Sequence, residues 1–139
     1  MTLIKKLFRY GFHDTCVNYI ELFENRLSIF FGGGIYELDY SGREVKLTSD
    51  VEMQIIVDTR FFRLEEMIEV REIFPQYKRI SVQEIAKTMF NHKMDINNVY
   101  YSSFNKTIMF DCTICNTDVL ISVEECVDIN YVFGFSGVE

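Results

Sequence analysis

One proline and no tryptophan occur in this chain of 139 residues. With so little proline, a disordered or linker-rich protein is excluded, because 48% of the residues are apolar and can form a packed core. No run of apolar residues approaches the eighteen that a membrane-spanning helix requires. The opening "MTLIKKLFRYGFHD" has two lysines but no apolar stretch of seven, so no secretory signal is read there. These absences together predict a cytoplasmic protein whose four cysteines stay reduced.

Positive charge is missing from a whole segment. From Thr107 to Glu139 there is no Lys or Arg, against six acids: Asp111, Asp118, Glu124, Glu125, Asp128 and Glu139. Those six nearly account for the net charge of −7. Such a stretch repels phosphate backbones, which argues against direct nucleic-acid binding and suits a basic protein partner. Ordinary solvation of a surface is the plainer reading of the same acids.

What the chain does have is strand signal. In "VEMQIIVD", Val51, Met53, Ile55 and Val57 alternate with Glu52, Gln54 and Asp58. "RLSIFF" places Leu27, Ile29 and Phe31 on one side, and "TCVNYIELF" precedes it across a hairpin turn at "ENR". "DYSGRE" is another turn, with Gly42 supplying the positive φ. "KTIMFDC" sets Ile108, Phe110 and Cys112 together. The longest signal joins Val119, Ile121, Val123, Val127, Ile129, Tyr131 and Phe133 in one parity, with Asp118, Ser122, Glu124, Asp128 and Asn130 in the other. Glu125 breaks the apolar row. A bulge or bend at Glu124–Glu125 turns it outward; the alternative is an inward, functional carboxylate.

Helical signal is confined to "SVQEIAKTMFN". There Val82, Ile85, Ala86, Met89 and Phe90 form an apolar stripe, and Ser81 with Glu84 forms a capping box. "TLIKKLF" reads as a short helix or strand. "RLEEMIEVREIF" is ambiguous, with a strand favoured around Ile68–Ile73. The expected fold class is α+β: a single domain over 1–139, mostly an antiparallel β-sheet meander, with one clear amphipathic helix at about residues 82–91.

Motifs that carry chemistry are weak. "FFGGG" supplies Gly32, Gly33 and Gly34, but a phosphate loop leads into a helix with Lys and Ser/Thr, whereas "IYELDYSG" follows here. A tight bend between two strands fits better. "CTIC" gives Cys112 and Cys115 the C-x-x-C spacing at a strand end, where residues three apart face opposite sides. Cys16 and Cys126 stand alone, so no metal site and no cofactor is expected. His13 and Asp14 are neighbours on an extended chain and point apart; His13 is expected as a buried hydrogen-bonding anchor, and His92 as exposed. No catalytic constellation emerges, and the protein is expected not to be an enzyme.

The stretches "FHDTCVNYIELFENRLSIFFGGGIYEL" and "VLISVEECVDINYVFG" resemble small bacterial β-rich immunity proteins, encoded beside polymorphic or contact-dependent toxins. The resemblance implies a protein that binds a toxin domain, such as a basic nuclease, and blocks it. The outward acids Asp118, Glu124 and Asp128 are then the expected partner-binding patch, with aromatic residues beside them. The alternatives are a regulatory or small-ligand binding module, or an assembly protein. The oligomeric state is left open.

Overall fold

The computed structural model describes residues 1–134; Glu139, one of the six acids above, lies outside them. The chain opens with α1 (Leu3–Leu7), β1 (Tyr10–Gly11), β2 (Thr15–Val17), β3 (Tyr19–Phe23) and β4 (Arg26–Phe31). It continues with β5 (Tyr36–Leu38), β6 (Glu44–Leu47), β7 (Val51–Val57), α2 (Leu64–Met67), β8 (Ile68–Phe74) and β9 (Lys78–Ile80). Then come α3 (Val82–Thr88), β10 (Met94–Ser102), a 3₁₀ turn at Phe104–Lys106, β11 (Thr107–Ile114), β12 (Thr117–Val123) and β13 (Cys126–Phe133).

The strands form three sheets, and every pairing is antiparallel. The largest has the order β2-β10-β11-β12-β8-β9, the second β13-β7-β4-β3, and a small one β1-β5-β6. The fold is therefore β-rich. Its three α-helices span only five, four and seven residues. The meander is local: β10, β11 and β12 follow one another across the sheet, while β13 leaves for the other one.

Alternation explains which faces meet. On β7, Val51, Met53, Ile55 and Val57 are buried, joined by Leu27, Ile29 and Phe31 of β4. Opposite them, Ile108, Phe110 and Cys112 of β11 and Val119, Ile121 and Val123 of β12 are equally buried, in one hydrophobic cluster. Helix α3 packs on β8 of one sheet and β3 of the other, with Ile85 and Met89 buried. Its predicted capping box is present: Ser81 Oγ accepts from the Glu84 amide, and the Glu84 carboxylate accepts from the Ser81 amide.

Three expectations need correction. The apolar row from Val119 to Phe133 is two strands in two different sheets, with the break at Glu124–Glu125 where Glu125 takes φ 55°. Past the break, a register shift between Cys126 and Asp128 puts Cys126 and Ile129 inside and leaves Val127 exposed. The helix stops at Thr88, so Phe90 swings into solvent instead of completing the stripe. In "RLEEMIEVREIF" the favoured strand is present at Ile68–Phe74, and the one-turn helix α2 directly precedes it.

The burial pattern on α3 makes a direct test. Ile85→Ala should destabilise the protein by about 2–5 kcal/mol, since it leaves a cavity between the sheets. Lys87→Ala, on the exposed side, should change stability by no more than about 0.5 kcal/mol. Chemical denaturation of the two variants distinguishes them, and equal losses would mean that the helix does not seat on this core.

Candidate functional site

The structure does not bring Asp118, Glu124 and Asp128 together. Asp118 lies at the start of β12, on the outer face of the six-stranded sheet, where it accepts a hydrogen bond from Thr113 Oγ1. Glu124 follows the other end of the same strand, six residues and about 20 Å away at the usual strand rise. Asp128 belongs to the other sheet, and its carboxylate is tied to Lys6 of α1. The Lys6 ammonium, together with the Ile129 amide, holds that carboxyl below the usual range. Its charge is therefore matched within the chain, whereas Glu124 joins no ion pair among the described residues.

The glycines serve the backbone. Gly33 and Gly34 have φ of 97° and 86°. The Gly32 amide donates to Asn18 Oδ1 and the Gly33 amide to Asp50 Oδ1, both at 2.8 Å. The donors that a phosphate would need are thus engaged, one of them by a carboxylate that repels anions. At Gly34 a Cβ would stand 2.2 Å from the Thr48 carbonyl oxygen, so only glycine lets the two segments approach.

Cys112 is buried in the core, while Cys115 sits exposed in the two-residue turn between β11 and β12. That turn has positive φ at both Cys115 and Asn116, as a hairpin matching strand twist requires. Burial pushes the Cys112 thiol up strongly and the Cys126 thiol up to about 12. Among the described residues, no three His, Cys, Asp or Glu side chains converge as a metal site. His13 departs from expectation. It is exposed, and Asp14 at φ 61° folds back so that its carboxylate lies 3.2 Å from His13 Nε2. The Asn97 carbonyl, accepting from the ring, and then Asp14 raise the His13 pKa. His92 is exposed as predicted.

A different feature stands out at one end of the two larger sheets. Four connections adjoin there: the β3–β4 turn, the loop after β7, the 3₁₀ turn and the Glu124–Glu125 crossover. Backbone hydrogen bonds fasten them to one another. Glu124 donates to the Met67 carbonyl, Glu125 to that of Asn105, Asp58 to that of Glu125 and Val57 to that of Asn25, all at 2.8–2.9 Å. Exposed phenylalanine stands at each of the first three connections: Phe23 at the end of β3, then Phe61 and Phe62, then Phe104. Phe61 is 81% exposed and Phe104 78%, so both rings are largely open to solvent. Beside Phe61 and Phe62 lies a groove of about 370 Å³, lined also by Asp58, Arg60, Met67, Asn105, Glu124 and Glu125. A second hollow of about 500 Å³ on the other side of this loop reaches Glu24 and Glu66.

Charge at this end is partly cancelled. Arg60 Nε donates to both Asp58 oxygens and Nη2 donates to Oδ2, in a paired geometry that lowers the Asp58 pKa to about 2. Arg63 lies near Glu66. Glu24, Glu124 and Glu125 are in no ion pair among the described residues. Sequence reading had weighed Glu124 and Glu125 but passed over the phenylalanines. The signal was the pair Phe61–Phe62 standing after the alternating strand, in a stretch with neither strand nor helix periodicity. Comparison with protein-family models, curated proteins and solved structures finds no match to this chain.

Two outcomes check these assignments. Gly34→Ala should lower stability more than Gly33→Ala, because the latter adds only the left-handed penalty of about 1–2 kcal/mol in open space; thermal melts rank them. Native protein treated with a thiol reagent should label Cys115 first, while Cys112 and Cys126 should react only on unfolding. Mass spectrometry of the labelled peptides reads the order, and early labelling of Cys112 would contradict its burial.

Proposed function

We propose that this chain is a non-enzymatic, cytoplasmic protein-binding protein of the immunity or inhibitor type, which meets a basic partner through its phenylalanine-bearing end. One observation carries the reading: four phenylalanines stand exposed at three adjoining connections, beside the carboxylates of Glu24, Glu124 and Glu125, which join no ion pair among the described residues. Exposed rings gathered at one place mark interaction surfaces, since water is a poor neighbour for them. Each ring that a partner covers contributes about 1.5–3 kcal/mol, and aromatic anchors dominate interface energies.

The acids give direction to this surface. Glu124 belongs to it; Asp118 faces away on the open sheet, and Asp128 is neutralised by Lys6. Carboxylates around an apolar centre favour a basic partner by steering encounter and by penalising acidic competitors. A nuclease toxin, which must hold a phosphate backbone, has such a basic surface.

The test is co-purification with the products of the flanking genes, followed by kinetics on the captured pair. Phe61→Ser/Phe62→Ser should abolish capture while the fold persists, because both rings lie outside the core. Glu124→Lys/Glu125→Lys should slow association by about one to three orders of magnitude, and Asp118→Lys should leave it nearly unchanged. Capture that survives the phenylalanine changes, or that depends on Asp118 alone, would place the interface on the open face of the six-stranded sheet.

A further inference from the structure

We infer that the groove between Phe61–Phe62 and Glu124–Glu125 is a receptor for one arginine side chain of the protein partner. The inference rests on the proposed docking role of this end and adds the chemistry of the contact. Glu124 and Glu125 are half-buried, yet neither carboxylate accepts a hydrogen bond or joins an ion pair among the described residues. Both carboxylates are left to solvent for donors, and a partner's guanidinium can replace that water with charge-assisted hydrogen bonds. The one cation lining the groove, Arg60, is committed to Asp58 through three hydrogen bonds of 2.7–3.1 Å. The Glu125 field acts on Arg60 without contact. Lys106 stands close enough to influence Asp58 and reduces the local excess. Counting Asp58, Arg60, Glu124, Glu125 and Lys106, the groove still carries a net charge of about −1.

The walls suit a guanidinium better than an ammonium. Phe61 already takes a guanidinium within the chain, with the Arg60 carbon 5.5 Å from the ring centroid. Phe61 remains 81% exposed and Phe62 56%, so ring surface is open to a second cation. A planar, weakly hydrated guanidinium can stack on a ring and donate in its plane to a carboxylate at once; a strongly hydrated ammonium gains less from both. The buried Met67 closes one wall with apolar surface. A space of about 370 Å³ accommodates one such side chain.

The probe is the tripeptide acetyl-Gly-Arg-Gly-amide, titrated into the isotopically labelled protein and followed by amide chemical shifts. Saturable shifts should appear at residues 58–62 and 124–125, with millimolar affinity. The citrulline tripeptide, equal in shape but uncharged, should bind at least tenfold more weakly, and the lysine tripeptide should fall between them. Glu124→Gln/Glu125→Gln should remove the response to arginine while leaving the rest of the spectrum in place. Equal shifts with citrulline, or arginine-dependent shifts confined to the Asp118 face, would overturn the receptor. A protein partner lost by Phe61→Ser/Phe62→Ser but unaffected by Glu124→Gln/Glu125→Gln would also overturn it, while leaving the docking end intact.

Discussion

The crossover at Glu124–Glu125 is the constraint on which this molecule turns. A strand buried on one face cannot simply continue into a second sheet, because its side-chain parity and its ladder both belong to the first. Here the ladder of β12 ends at Val123, Glu125 adopts φ 55°, and β13 begins at Cys126 against Val57. The backbone groups released at the corner are taken up by Met67, Asn105 and Asp58. Those three contacts belong to the α2–β8 junction, the 3₁₀ turn and the loop after β7. One change of direction therefore draws three separate connections to a single end.

That end gathers four exposed phenylalanines, Phe23, Phe61, Phe62 and Phe104. Elsewhere acids are matched or isolated: Asp128 by Lys6, Glu69 by Arg71, Glu37 by Lys46. At the crossover, charged groups stand beside exposed rings, and two of the cations present are engaged by their own neighbours. Arg60 holds Asp58, and Arg63 lies near Glu66. The outcome is an apolar centre with a carboxylate margin, an arrangement in which burial supplies affinity and charge supplies direction. The Gly32–Gly34 bend contributes none of this; its amides are bound by Asn18 and Asp50, and Gly34 is fixed by the approach of Thr48.

Much of the fold was legible because alternation and capping are local. Val51 to Val57, Leu27 to Phe31, Ile108 to Cys112 and the Ser81–Glu84 box were readable from spacing, since each depends only on residues within one element. The same spacing misled where two elements shared a parity. Val119 to Val123 and Ile129 to Phe133 share a parity that only Glu125 interrupts; that residue marks a bend, but nothing local tells that the chain changes sheet there.

The sequence by itself determined a β-rich chain, its principal strand faces, one capped helix and a segment without basic residues. Only the tertiary structure decided which sheet each strand joined, and hence that Asp118, Glu124 and Asp128 stand on separate surfaces. It also decided that Phe23, Phe61, Phe62 and Phe104, scattered over eighty residues, stand at one end. The physical reason is that periodicity reports whether a side chain faces inward. Which distant loops become neighbours is set by the pairing of strands and the backbone hydrogen bonds at their ends.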